Sequence, residues 1–122
     1  MSKAGFIALV VVAAIVLIGS QVYNNSKIEV VKNASPVGHS DTYGRVFERA
    51  FTNTKWSHFH STGYDSVIEF NGRDRSGNDV VIQIVQETLV SNRWIAMYIS
   101  INDRSLNMLD IAPYIREMFD NY

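Results

Sequence analysis

His58 and His60 flank Phe59, and on an extended strand side chains two residues apart point to the same side. That spacing is metal-ligand geometry, but a zinc-type site needs three or four ligands, so His39, Asp41 or Asp65 would have to converge on the pair. Without them, two spaced histidines on a polar strand are ordinary surface residues. Glu69 stands between Ile68 and Phe70, where it either faces a pocket, faces solvent on the strand, or pairs with Arg73 or Arg93. No Ser-His-Asp arrangement, glycine-rich phosphate loop or paired-carboxylate spacing appears. The sequence therefore points away from an enzyme, and no cofactor is expected. Trp94 and Tyr98 are the stronger feature. They share one strand face with Ala96 between them, and aromatic pairs exposed on a sheet are typical anchors for a protein partner.

The elements that must position these residues follow from periodicity. Tyr43, Val46, Phe47, Ala50 and Phe51 fall at helical spacing, with Arg45, Glu48 and Arg49 on the far face and Ser40 or Asp41 as N-cap. Asn53 or Thr54 closes this helix. Four strands are then predicted, at 55–60, 66–70, 80–86 and 93–101, with a hairpin loop between Arg73 and Asp79. In the last strand Ile95, Met97, Ile99 and Ile101 share one face. Leu109, Ala112, Ile115, Phe119 and Tyr122 make a second helical stripe, and Pro113 places the start of the main helix near Ile111, after a short turn. Phe47, Phe51, Trp56, Phe59, Phe70 and Phe119 are the candidate core aromatics. The resulting fold class is α+β: helix, four-stranded antiparallel sheet, helix, in a two-layer sandwich.

The amino-terminal stretch decides where this domain lives. Ala4 to Val22 is apolar, and no charge appears between Lys3 and Lys27. About 20 such residues span a bilayer core as a helix. Residues 1–23 are read as a transmembrane anchor or uncleaved signal, because Leu17 and Ile18 fill positions where a signal-peptide cleavage site wants a small residue. Cleavage near Ser20 would instead release a secreted binding or inhibitor protein. Cleavage between Gly5 and Phe6 would make a pilin-like subunit, although Val10 stands where the pilin pattern has Glu. Residues 24–39 read as a linker, with Ser26 to Lys32 a candidate edge strand, and 40–122 as the extracytoplasmic domain. The chain has 11 basic and 12 acidic residues and no cysteine, which excludes a disulfide framework. With no basic stripe, nucleic acid is excluded as an expected partner.

Tyr43, Gly44 and Phe47, then Phe51, Asn53, Lys55 and Trp56, then Val67, Ile68, Glu69, Phe70 and Gly72 form a pattern that resembles a small domain common in Firmicutes. Asn102 and Asp103 after the last strand, and a helix finishing near Met118 and Phe119, extend the resemblance from about Ser40 to Phe119. It departs at Arg45, which replaces an acidic residue, and in lacking a zinc ribbon before the anchor. The resemblance implies a domain behind one membrane span and supplies no catalytic residue. The expectation is a single-pass cell-membrane protein, N-terminus cytoplasmic and C-terminal domain outside. Its partners would be membrane lipid through the N-terminal helix and a protein partner on the domain.

Overall fold

The computed structural model describes residues 25–61, 63–88 and 91–122 of the 122-residue chain. The expected anchor lies outside these residues, and among them no helix is long and apolar enough to cross a membrane. Among the described residues the architecture is α+β, with three helices and a five-stranded antiparallel sheet. The elements are α1 (Asn25–Lys32), α2 (Tyr43–Ala50), β1 (Thr52–Ser61), β2 (Tyr64–Arg73), β3 (Asp79–Gln86), β4 (Trp94–Ile101), β5 (Arg104–Ser105) and α3 (Met108–Asn121). The strands form a simple meander in the order β1-β2-β3-β4-β5. The fifth strand is the two-residue addition to the expected four.

Segment 26–32, read as an edge strand, is helical instead. Its β-branched residues suit either state locally, but Ile28 and Val31 lie one turn apart, and both are buried in the main core. Tertiary burial overrides the weak local preference. α2 runs close to its expected span. Thr42 is its N-cap, accepting from Arg45 N at 3.3 Å, while Asp41 accepts from Thr42 N and pairs with Arg49 at 2.9 Å. The helix stops at Ala50 because Phe51 turns extended, its N–H still bonded to the Phe47 carbonyl, so the chain enters β1 at Thr52 rather than continuing to Asn53. Gly44 allows the two helices to touch: a Cβ there would sit 2.8 Å from the Lys32 carbonyl oxygen.

Phe47 is the hub of the core. Its ring lies 4.7 Å from Phe70, 5.6 Å from Trp56 in a stacked pair, 5.7 Å from Tyr43 and 6.0 Å from Phe51. Phe59, grouped with these by sequence, belongs to a second cluster with Val67 and Val85. Strand alternation explains the split: Phe59 pairs with Val67, while Trp56 pairs with Phe70 across the same two strands. Every buried helix residue lies in the first cluster, which identifies the sheet face that the helices cover.

α3 starts at Met108, capped by Asn107 and earlier than expected, and it accommodates Pro113 inside. Its buried stripe is Ile111, Ile115, Met118 and Phe119. Of the expected stripe Ile115 and Phe119 are buried, but Leu109 is 84% exposed and Ala112 is also exposed, and Ile111 is buried in their place.

Candidate functional site

The face expected to display Trp94 and Tyr98 is broken by a bulge. Ile84 pairs with Ala96, but Gln83 pairs with Tyr98, so Met97 is the extra residue. Each inserted residue reverses the inside-outside alternation beyond it. Trp94 and Ala96 therefore share the helix-covered face with Ile99 and Ile101, while Ile95 and Met97 pack on the second cluster. Trp94 is 4% exposed and is a core residue rather than a surface anchor. Tyr98 is half-buried on the opposite face, so the two aromatics do not form one surface.

That opposite face carries transverse rows set by the register. Phe59, Val67, Val85 and Ile95 form an apolar row. Beside it, Ser57, Glu69, Gln83 and Tyr98 pair across four strands as a polar row. Glu69 is buried, and its two carboxylate oxygens accept from Gln83 Nε2 at 2.9 Å and Asn71 Nδ2 at 3.1 Å. The cations expected beside it are engaged elsewhere: Arg73 pairs with Asp79 and Arg93 with Glu87. Burial pushes the Tyr98 hydroxyl up, the negative Asp103 and Glu69 add to this, and a hydrogen bond with Ser100 opposes it. At the centre of the row Glu69, Gln83 and the neighbouring Asn71 form a hydrogen-bonded cluster with one carboxylate.

His58 is buried and paired in register with Ile68, whereas His60 is exposed, and their rings are 5.4 Å apart. His39 lies against Phe119, at 5.2 Å between rings. Among the described residues no group of three or more His, Cys, Asp or Glu side chains could hold a metal ion.

Two clefts remain. One, of about 260 Å³, lies between the β2–β3 loop and the end of α3. The Asp74 carboxylate beside it is consumed within the loop by Ser76 N, Asn78 N and Asn78 Nδ2. The other, of about 220 Å³, lies between β4 and α3. The buried Tyr43, Ile111 and Ile115 line it together with Ile95, Ala96 and Ala112. Arg116 and His39 are the ionisable side chains of its rim, and Val37, 68% exposed, overhangs it. Sequence reasoning missed this cleft. Its one signal was the presence of apolar residues on two faces of α3.

Comparison with known proteins returns no match: no family model, no curated protein and no solved structure is similar to this chain.

Proposed function

We propose that the chain is a non-enzymatic, membrane-anchored protein-interaction domain held outside the cytoplasmic membrane. The observation that supports this most is the junction between the apolar run and the fold. The run ends at Val22, and Ile28 and Val31 of α1, in the first of the described residues, are docked in the core. A membrane span ending there would hold the domain close to the bilayer instead of on a long leash. The recognition surface is the cleft between β4 and α3, which is apolar and open on a rim bearing Arg116 and His39. A cleft of about 220 Å³ is small for a cofactor, since pockets for drug-sized molecules run to about 300–1,000 Å³, and it suits one or two side chains.

The test is the intact mass and location of a C-terminally tagged chain expressed in a Gram-positive host. A full-length mass in the membrane fraction, with the tag open to external protease, is the expected result. A mass starting near Gln21 in the medium would make the chain a secreted binder. A mass starting at Phe6 would point to a filament subunit.

A further inference from the structure

We infer that the outer edge of β4 and the adjoining cleft receive an extended peptide as an added strand, with an apolar side chain in the cleft and a carboxylate at Arg116. This rests on the interaction-domain reading and specifies the partner's chemistry.

The edge comes first. β5 pairs with β4 only at Ser100 and Ile101, so the earlier part of β4 borders no strand on its outer side among the described residues. Two contacts show which backbone groups point outward. The Ile99 carbonyl accepts from Leu106 N at 2.8 Å, and the Trp94 carbonyl accepts from the Tyr43 hydroxyl at 2.8 Å. In an antiparallel ladder alternate residues present both N–H and C=O to the same side. The Trp94 carbonyl faces outward, so by the alternation the Ala96 N–H and C=O point to the outer edge too, beside the cleft that Ala96 lines. Unpaired edge groups beside a pocket are what β-strand addition uses: main-chain bonds give affinity and the pocket gives specificity. The bulge at Met97 ends the regular edge, which limits the added strand to a short segment.

Charge and exposure then select the occupant. No acidic side chain lines the cleft, while Arg116 and His39 do, so the complementary peptide carries an acid next to its apolar residue. Leu109 precedes Ala112 by three residues on the same helix face and extends the apolar rim. A basic peptide would meet Arg116 with no acid in the lining to offset the like charge, and a second copy would have to bring its own acid to Arg116.

The experiment pans a phage-displayed library of random heptapeptides with free carboxyl termini against the full chain in mild detergent. Enriched peptides are expected to carry an apolar residue within two positions of a carboxylate. Binding should fall at least tenfold with Arg116→Glu, should be lost with Ala112→Trp, and should be lost when the peptide backbone is N-methylated opposite Ala96. Slowed hydrogen exchange at the Ala96 amide would report strand addition even if the Trp variant fails to fold. The proposal is overturned if no peptide enriches above the detergent control, or if enriched peptides bind the Arg116→Glu chain as well as the parent. It is equally overturned if Ile95→Cys chains crosslink to each other through this edge and peptides do not compete. An empty groove alongside a discrete protein crosslinked elsewhere on the domain would sink this inference alone. No discrete crosslinked partner anywhere on a membrane-held chain would sink the interaction reading itself.

Discussion

The Tyr43 hydroxyl donates to the Trp94 carbonyl at 2.8 Å, joining the first turn of α2 to the start of β4 across 51 residues of sequence. Tyr43 is fully buried, and burial pushes its hydroxyl up to about 12, so the donor keeps its proton. An unfolded tyrosine titrates near 10, hence the folded state binds the proton more tightly between about pH 10 and 12. This contribution is complete below pH 10 and declines as pH rises towards 12. Thermal midpoints should therefore hold level up to about pH 9.5 and then drop, and Tyr43→Phe should flatten that drop. Because the Trp94 carbonyl would lose its partner, the variant should also be destabilised at neutral pH, by about 1–3 kcal/mol. Denaturant titrations of both chains at pH 7 and pH 11 check the two effects together.

Trp94→Ala separates a core role from a surface one. As an exposed anchor the residue would be removed with little effect on stability. Buried at the helix-covered face, its loss should cost about 3–5 kcal/mol. Urea unfolding followed by far-UV circular dichroism reads the difference directly, and a change within experimental scatter would contradict the bulged register.

Gly44→Ala has two opposing terms. In an open helix the change would stabilise by about 0.8–1.0 kcal/mol. Here the new Cβ meets the Lys32 carbonyl oxygen at 2.8 Å, and backbone cannot step aside as a flexible side chain can. The net effect should be destabilising, and α1 should be the part released. Hydrogen exchange should quicken in 25–32 while β2 and β3 keep their protection.

How much of this was legible follows from which rules act locally. The stripe from Tyr43 to Phe51 and the hairpin loop between Arg73 and Asp79 announce themselves, because 3.6-residue periodicity and turn chemistry are local properties. α1 was hidden because Ile28, Val30 and Val31 suit a strand as well as a helix, and only docking chooses between them. The bulge was hidden because Met97 carries no mark of being the extra residue, yet it decides where Trp94 and Tyr98 go. In α3 the expected stripe through Leu109 and Ala112 and the observed one through Ile111 share Ile115 and Phe119, and periodicity alone cannot say which side of that pair faces inward. That ambiguity was itself the trace of the cleft, since the losing stripe remained apolar on the surface. The cleft draws on the segment 36–39, β4 and α3, which only the folded chain assembles.

Glu69 and Gln83 test whether the polar row is a structural network. Gln83→Leu removes the 2.9 Å donor from a buried carboxylate while keeping similar volume. Leaving that oxygen without its bond should cost about 1–3 kcal/mol. Replacing both partners removes the unsatisfied charge along with the hydrogen bond, and buried polar pairs exchanged for apolar ones of like shape are often near neutral. Glu69→Leu with Gln83→Leu should therefore be more stable than Gln83→Leu alone. Asn71 should then matter less, because its Nδ2 would no longer hold the second oxygen of Glu69. A double-mutant cycle in denaturant measures this as a coupling energy. Additive losses would mean that the two side chains act independently and that the row across the four strands is not a unit.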